Sequence, residues 1–254
     1  MIVKLPNGLL DGPDLFNYVE VEELTGKQQN YLANKDLVVG NIGHVPKILE
    51  DLVISLQNKE GLKWKGDIKE AIWKLPSGDI ETILIKIREK TFGPKFYHEA
   101  MCNDPECQHI NKNLMLKLDK LKLSPLSVKE MLNKKKRTFT LPKAKIEVEV
   151  KPLYLKELFD VIKITTNKKD ELITSLVVLS IKRLGTKTPV TKEDVESLKA
   201  TDIQYLQEKL SDVLLEGTID TDVEVVCEKC EKEFTSKLNV FDSDFFALTK
   251  ATVS

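Results

Sequence analysis

Two short segments of the chain alternate between apolar and acidic side chains. They are Tyr18-Val19-Glu20-Val21-Glu22 and Ile146-Glu147-Val148-Glu149-Val150. Strict alternation is typical of a strand in a sheet that is covered on one side only, because successive side chains point to opposite faces. Segments of helical periodicity follow each of them, so the pattern predicts an α+β fold.

Three pairs of helices are predicted from apolar residues that recur every three or four positions. They cover residues 26–34, 47–56 and 79–90 in the first part of the chain and 155–163, 170–183 and 202–215 in the second. Asp79 and Asp202 open the last run of each part, and we expect their carboxylates to cap the first helical turn. Gly93 and Gly217 follow, and each is expected to end its helix in a left-handed conformation. A capping box at residues 191–194 predicts one further short helix.

The two parts of the chain repeat these features in the same order. Each begins with a Leu-Pro pair, at Leu5-Pro6 and Leu141-Pro142, and each ends in a pair of cysteines. The repetition predicts an internal duplication, with similar halves at residues 1–122 and 138–254, although any α+β chain can show some coincidence of this kind. Serine and proline in the intervening residues 123–137 favour an irregular linker.

The net charge of the chain argues against a protein whose function is to bind the phosphate backbone of nucleic acids. Its 39 basic and 40 acidic residues give a formal net charge of −1, whereas such proteins are usually visibly basic. The linker run Lys134-Lys135-Lys136-Arg137 could contact nucleic acid or an acidic partner, but a run this short is more often a solvated turn. Apolar stretches are only a few residues long, and nothing at the N-terminus resembles a signal peptide. The sequence therefore favours a soluble protein of a reducing compartment.

All four cysteines occur in two close pairs, Cys102 with Cys107 and Cys227 with Cys230. Each pair lies between two apolar-alternating segments, so each is expected at the turn of a β-hairpin. Two such turns can direct four thiolates at one ion, and a closed tetrahedral set of four cysteines is a structural zinc site. The sequence therefore predicts one structural Zn²⁺ per chain, bound by these four residues, in a zinc-ribbon-like arrangement that joins the two halves.

Other interpretations of the cysteines remain open at this point. Buried free thiols account easily for one pair, but less well for two pairs that both lie in hairpin-like segments. A disulfide requires an oxidising compartment, and a redox pair such as Cys227–Cys230 usually opens a helix, whereas here a β pattern continues. The first pair is also spaced more widely than the second. His109 is the obvious substitute ligand, although a histidine at such a place is more often a solvated turn residue.

The sequence contains no recognisable catalytic pattern. Its three histidines, His44, His98 and His109, match neither a metalloprotease motif nor a catalytic triad. The segment from Leu24 to Gln28 lacks the upstream glycine and the following hydroxyl residue of a phosphate-binding loop. A zinc ion held by four thiolates has no open position for a substrate. The sequence therefore indicates a protein that is not an enzyme.

Several short motifs together resemble a known family. They are Leu5-Pro6-Asn7-Gly8, the strand-to-helix entry from Val19-Glu20 to Leu24-Thr25-Gly26, Thr91-Phe92-Gly93-Pro94, Leu118-Asp119-Lys120-Leu121, the two cysteine turns and Phe245-Phe246. In this order they resemble the baseplate-hub and tail-assembly proteins of tailed bacteriophages, the family of the T-even baseplate hub assembly component. The second cysteine pair matches the family pattern well, whereas the wider spacing of the first pair departs from it.

The resemblance implies a structural or assembly component of a phage tail baseplate, located in the virion and, during assembly, in the host cytoplasm. Its partners would be other tail proteins, with several copies per assembly and no role for membrane or nucleic acid. The alternative function is a zinc-ribbon nucleic-acid-binding or transcription-related adaptor, which the two cysteine turns and the basic run would suit. Both functions work by binding rather than by catalysis.

Phenylalanines are concentrated near the C-terminus, at Phe234, Phe241, Phe245 and Phe246. Clustered aromatic side chains either anchor a partner surface or pack in the core of the chain itself. We expect the segment from Phe241 to Phe246, together with the ends of the cysteine hairpins, to be buried against partner chains.

Overall fold

The computed structural model describes residues 1–33, 43–123, 137–165, 172–214, 217–241 and 243–246. The first half of the chain forms β1 (Ile2–Asp11), β2 (Asp14–Val21), α1 (Gly26–Ala33), α2 (Val45–Leu52), β3 (Val53–Gln57), α3 (Ile68–Trp73), α4 (Ser77–Phe92), β4 (Lys95–Met101) and β5 (Ile110–Lys117). The second half forms β6 (Thr138–Thr140), β7 (Glu147–Val150), α5 (Leu155–Thr165), α6 (Leu172–Ser180), β8 (Ile181–Leu184), α7 (Lys192–Glu196), α8 (Ala200–Leu214), β9 (Asp222–Val226) and β10 (Glu233–Lys237). Short 3₁₀ turns follow at Leu118–Lys120 and Ser243–Phe246.

The strands of the described residues form four small antiparallel sheets, so the predicted mixture of helices and strands is confirmed. Two sheets have three strands, in the orders β1-β2-β3 and β6-β7-β8. The other two are the hairpins β4–β5 and β9–β10. Among the described residues, no helix combines the length and the apolar character needed to cross a bilayer.

The two three-stranded sheets share the same register and the same irregularity. In the first, Val19 pairs with Leu56 and Val21 with Val53. In the second, Val148 pairs with Leu184 and Val150 with Ile181. Each third strand therefore carries one extra residue opposite its central strand, which is a β-bulge. The alternating valines face the core in both sheets, as the sequence pattern predicts.

Two predicted helices end earlier than the sequence indicates. The helix predicted to reach residue 56 ends at Leu52, and the helix predicted to reach residue 183 ends at Ser180. The next residues form β3 and β8, because their pairing supplies hydrogen-bond partners to the edges of β2 and β7, which a longer helix would leave unpaired. The sequence does not show where the helical repeat of 3.6 residues changes to the strand repeat of 2, because the residues on both sides of each boundary are apolar. The predicted positions 34, 170, 171 and 215 lie outside the described residues.

Asp79 and Asp202 lie inside their helices and do not cap them, which corrects the sequence interpretation. Helices α4 and α8 begin two residues earlier, at Ser77 and Ala200. The Asp79 carboxylate accepts backbone N–H groups from Asn7 at 2.8 Å and Gly8 at 2.7 Å. That of Asp202 accepts those of residues 143 and 144 at 2.8 and 2.9 Å. Each aspartate therefore fixes the residues after a Leu-Pro pair to a helix, because their N–H groups have no strand partner: Asn7 and Gly8 lie where the pairing of β1 with β2 is interrupted, and residues 143 and 144 lie in a turn.

The predicted helix end at Gly93 and the capping box agree with the structure, whereas residues 215 and 216, between α8 and Gly217, lie outside the described residues. Gly93 ends α4 with a φ of 83°, and Gly217 has a φ of 62°. Both are therefore in backbone conformations that favour glycine. Thr191 and Asp194 form the predicted capping box at the start of α7.

Two hydrophobic clusters make up the core. The larger one contains the first sheet, helices α2 to α4 and both cysteine hairpins. The smaller one contains β6 to β8 with apolar residues of α6 to α8. A backbone joint connects the two parts, in which Ser77 N–H donates to Leu153 O at 3.1 Å and Leu155 N–H donates to Leu75 O at 3.0 Å. The division at residues 1–122, 123–137 and 138–254 stays a prediction.

The C-terminal phenylalanines belong to the core of this chain. Phe245 and Phe246 are only 1% and 3% exposed, and both lie in the larger cluster. Phe234 is buried there as well, and Phe241 packs against it while partly exposed. The expectation that the segment Phe241–Phe246 is buried against partner chains is therefore wrong for Phe245 and Phe246. The ring of Phe245 packs on Phe96 of the hairpin β4–β5, and that of Phe246 packs on Phe245 and His44.

Candidate metal centre

The four cysteines lie at the turns of two β-hairpins that face each other. Cys102 follows Met101, the last residue of β4, and Cys227 follows Val226, the last residue of β9. The residue pair nearest the turn is Met101 opposite Ile110 in the first hairpin and Val226 opposite Glu233 in the second. The predicted placement of the cysteines in hairpin turns is therefore confirmed.

The four sulfur atoms lie within 4.8 Å of one another. The closest approaches cross between the hairpins, at 3.8 Å for Cys102 Sγ to Cys230 Sγ and 3.8 Å for Cys107 Sγ to Cys227 Sγ. A tetrahedral zinc ion with Zn–S bonds of ~2.3 Å places its sulfur atoms about 3.8 Å apart. The donor set and its spacing therefore fit a tetrahedral metal ion, whereas the cysteines themselves are free thiols without a disulfide.

The backbone of both turns follows one pattern. The N–H of Cys102 donates to His109 O at 2.8 Å, and that of Cys227 donates to Lys232 O at 3.0 Å. The residue after the second cysteine, Gln108 or Glu231, has a positive φ of 44° or 59°. A left-handed residue at this point reverses the chain so that both cysteines of a turn point the same way.

The turn between Cys102 and Cys107 accommodates its two additional residues by hydrogen bonds within the turn itself. Cys107 N–H and Gln108 N–H both donate to Asp104 O at 3.0 Å, and the Asp104 carboxylate accepts the N–H of Glu106 at 2.9 Å. These bonds fold the two additional residues into a compact turn. The departure from a two-residue spacing therefore does not displace Cys107 from the cluster.

Backbone N–H groups and neighbouring thiols act on the acidity of the cysteines. The N–H of Asp104 lowers the pKa of Cys102, but burial and hydrogen bonds with the other three thiols raise it to about 12. Burial raises the pKa of Cys227, but the N–H groups of Cys230 and Lys229 and hydrogen bonds with neighbouring thiols lower it to about 6. Hydrogen bonds with neighbouring groups thus favour the thiolate form of Cys227, whereas burial and bonds with other thiols oppose that of Cys102 and raise the pKa of Cys107. A bound divalent cation would favour the thiolate form of its ligands, because opposite charges attract.

Polar contacts outside the cysteines hold the two hairpins together. Asn111 is fully buried, and its Oδ1 accepts the N–H of Glu228 on the opposite turn at 2.8 Å. Lys232 forms an ion pair with Asp104 across the same gap. His98 Nε2 lies 2.8 Å from Ser236 Oγ. The sequence analysis identified none of these contacts, because no local pattern marks side chains that pair over more than a hundred residues.

His109 is not part of the cysteine cluster. Among the described residues, the side chains that lie close enough together to share a metal ion are those of the four cysteines. His109 contributes its carbonyl oxygen, which accepts the N–H of Cys102. The other sequence candidate, the basic run Lys134–Arg137, lies outside the described residues except for Arg137.

Chemically, this arrangement can hold a metal ion but offers it no substrate position. Four sulfur donors complete a tetrahedron, whereas catalytic zinc sites keep one position for water or substrate. Cys102 and Cys227 are almost fully buried, and Cys107 and Cys230 are partly buried. The centre therefore suits a structural ion between the two hairpins.

Comparison with known protein families identifies the family of the chain. The family model described as T4 bacteriophage base plate protein matches residues 41–247, which is most of the chain. This range includes helices α2 to α8, both cysteine hairpins and the C-terminal 3₁₀ turn. No curated protein and no solved structure matches the chain. On the strength of the family match, the chain belongs to the T4-type bacteriophage baseplate protein family.

Proposed function

We propose that the protein is a structural or assembly component of the hub of a phage tail baseplate and that it works by contact with other tail proteins. The observation that carries this proposal is the family match over residues 41–247. The closed character of the cysteine cluster supports a binding role, since it suits a structural ion better than a catalytic one. In this role the protein is present in several copies, assembles in the host cytoplasm and stays in the tail.

We further propose that one Zn²⁺ per chain occupies the cysteine cluster. Zinc is favoured because soft thiolates and tetrahedral geometry are the combination that it binds most commonly in structural sites. Cys102, Cys107, Cys227 and Cys230 would be its ligands. The ion would join hairpins that lie 120 residues apart in sequence, so its binding energy would contribute to folding of the whole chain.

The two halves of the chain are proposed to derive from an internal duplication. Both contain the element order β-β-α-α-β-α-α-β-β, with the same bulge in the three-stranded sheet. Asp79 and Asp202 bind equivalent pairs of N–H groups from the same kind of helix. Three independent coincidences of this kind support a common origin more strongly than the order of elements alone. The halves have diverged, because the second hairpin packs in the larger cluster rather than in its own.

Metal analysis of the intact protein tests the zinc proposal. Protein purified without added metal should contain about one zinc per chain, and the variant Cys227→Ser/Cys230→Ser should contain less than about 0.2, because structural zinc survives purification. His109→Ala is the matched control and should keep its zinc. Four freely titrating thiols in the wild-type protein would overturn the proposal.

Complementation of a phage that lacks the gene tests the tail function. The wild-type protein should restore tails and be found in purified baseplates, whereas the cysteine variant should restore neither. Duplex and single-stranded DNA serve as probes for the alternative, a nucleic-acid-binding adaptor. Submicromolar binding that weakens steeply with salt would favour the adaptor, because phosphate contacts impose such a slope.

A further inference from the structure

One face of the hairpin β4–β5 is apolar and faces away from the core. Phe96, Leu114 and Leu116 point inward and are buried in the larger cluster. On the opposite face, Met101, Ile110 and Met115 are 62%, 48% and 47% exposed. These three belong to a set of eight exposed large apolar side chains among the described residues. Their concentration on one small hairpin is therefore not the scattered exposure that most protein surfaces show.

Pairing across the hairpin brings these side chains together. Met101 stands directly opposite Ile110, and Tyr97 stands directly opposite Met115. Tyr97 is half-buried, and it lies on the same outward face because it alternates with the inward Phe96 and His98. Two apolar cross-strand pairs thus lie on this face, one on each side of the exposed Glu99 and of a shift in the strand register. We call the residues Lys95, Tyr97, Met101, Ile110, Met115 and Lys117 the outer face.

The hairpin β9–β10 provides an internal comparison, since it carries the same cysteine turn on strands of similar register. With the cysteine turns aligned, its outward pair at the position of Tyr97 and Met115 is Asp222 and Lys237, and Glu224, at the position of Glu99, is hydrogen-bonded to Thr235 at 2.7 Å. At the position of Met101 and Ile110 it has Val226 opposite Glu233. A cysteine hairpin in this fold therefore accepts polar residues on its outward face. The apolar character of β4–β5 is not a requirement of the metal centre.

The base of the outer face carries two like charges. Lys95 stands directly opposite Lys117, whereas the pair at the base of β9–β10, Asp222 opposite Lys237, has opposite charges. Like charges in directly opposed positions destabilise a sheet. Neither Lys95 nor Lys117 has an ion-pair partner within the part of the chain that the structure describes. An external anionic group placed between them would relieve this repulsion.

We propose that the outer face of β4–β5 is the docking site for a segment of another phage tail protein that presents apolar side chains and, at one end, an acidic residue. The acidic residue would lie between Lys95 and Lys117, and the apolar side chains would cover the Tyr97–Met115 and Met101–Ile110 pairs. Methionine suits such a surface because its flexible side chain adapts to the shape of a partner. This inference rests on the proposed tail function and adds a location and a partner chemistry to it.

Two other occupants fit the surface less well. An anionic membrane would be attracted to the two lysines but repelled by the exposed Glu99 and Glu106 nearer the cysteine turn. A second copy of the chain, docked face to face with base against base, would bring the four lysines of the two chains together. An apolar segment with an acid at only one end avoids both conflicts.

The metal centre would contribute rigidity to this site. The inward side of the hairpin packs on Phe245 through Phe96, with ring centroids 5.2 Å apart, and its tip is held by the cysteine cluster. A surface that is ordered before binding loses less entropy when the partner arrives. The docking face and the cysteine cluster therefore form one preorganised unit.

Site-specific photo-crosslinking in infected cells tests the proposal. A photoreactive benzoylphenylalanine is placed at Met115 or, as the matched control, at Thr235 on the other hairpin. The full-length proteins are expressed during infection by the phage that encodes the chain, and cross-linked peptides are identified by mass spectrometry. We expect Met115 to link to a tail protein of that phage, through a peptide that contains apolar residues and an acid, at about tenfold higher yield than Thr235, as for a central contact residue.

Charge reversal provides the second measurement. The variant Lys95→Glu/Lys117→Glu should lose most of the Met115 cross-link, and replacing the acid of the linked peptide by lysine should restore it. Equal labelling from both hairpins, links only between copies of this chain, or binding of the purified protein to phosphatidylglycerol vesicles through Met115 would each overturn the proposal. Zinc content and the melting temperature of each variant are measured in parallel, so that misfolding is recognised.

Incorporation into baseplates separates this proposal from the general function. If the wild-type protein is found in baseplates and Ile110→Glu/Met115→Thr is incorporated equally, the outer face is not the docking site, while the tail function stands. If the wild-type protein is absent from tails at every stage of assembly, the tail function itself fails.

Discussion

The guanidinium Nε of Arg88 donates a hydrogen bond of 2.7 Å to the backbone carbonyl of Phe245, 157 residues later in the chain. The side chain of Arg88 is fully buried, and its guanidinium lies 5.2, 4.8 and 5.8 Å from the ring centroids of Phe92, Phe96 and Phe245. Burial lowers the pKa of Arg88 to about 10. This contact fastens the C-terminal turn to helix α4 and to the inward side of the cysteine hairpin.

Phe245→Ala should therefore destabilise the isolated monomer. Removing a fully buried phenylalanine costs about 3–5 kcal/mol, because transfer energy is lost and a cavity remains. Phe241→Ala is the control and should cost less, since Phe241 is only partly buried. Denaturant unfolding followed by circular dichroism measures both. An unchanged unfolding curve for Phe245→Ala, together with weakened partner binding, would instead favour a docking role for this ring.

Gly78→Ala should weaken the joint between the two parts of the chain. A Cβ atom at Gly78 would lie 2.3 Å from the carbonyl oxygen of Gly217, so backbone segments would have to move apart. The same carbonyl accepts a hydrogen bond of 2.8 Å from Asn7, which would be strained as well. We expect a loss of about 1–3 kcal/mol, as for other overpacked sites. Gly26→Ala is the matched control, since a Cβ there meets no atom within 4 Å, and it should be neutral or slightly stabilising.

The free energy of unfolding should decrease as the pH rises from about 4 to about 7. Burial raises the pKa of Asp79 to about 7, against the opposing effect of N–H groups from Asn7 and Gly8, and burial also raises that of Glu81 to about 7. A carboxyl group whose pKa is higher in the folded state stabilises the fold when protonated, and this contribution disappears as pH rises through the folded pKa. Asp79→Asn/Glu81→Gln should flatten the dependence. Equal slopes for the variant and the wild type would contradict this assignment.

Removal of the metal should lower the stability of both hairpins together. A metal bound at a hundredfold excess over its dissociation constant contributes about 2.7 kcal/mol, and chelation should remove at least this amount. Asn111→Ala should reduce stability without reducing zinc content, because its side chain joins the hairpins but offers no sulfur ligand. Thermal unfolding with and without a chelator, combined with metal analysis, tests both statements. A chelator that leaves the melting temperature unchanged would argue against a structural ion.

The cysteine cluster was predictable from the sequence because its signal is local and repeated. Each pair lies between alternating segments, and the chain has no fifth cysteine to compete for the site. The alternating valines at Val19, Val21, Val148 and Val150 likewise predicted their strands, because burial on one face requires that pattern. In both cases neighbouring residues contain the whole signal.

The features that sequence analysis missed depend on contacts between distant residues. Asp79 matches the pattern of a helix cap, but its helix starts two residues earlier and its carboxylate binds N–H groups of strand β1, 71 and 72 residues away. Phe245 and Phe246 resemble an exposed aromatic cluster until Arg88 and Phe96 are known to lie beneath them. The outer face of β4–β5 follows from strand pairing, since Tyr97 and Met115 become neighbours only through the hairpin register.

Helix α2 passes into strand β3 between Leu52 and Val53, and α6 passes into β8 between Ser180 and Ile181, without a single loop residue. Adding one residue to either helix would turn everything beyond it by ~100° around the helix axis. Adding one residue to either strand would exchange its buried and exposed faces. Insertions and deletions should therefore be missing from both junctions in related phage proteins, even where the surrounding loops differ in length. An alignment of related sequences should therefore show no gaps at these two junctions.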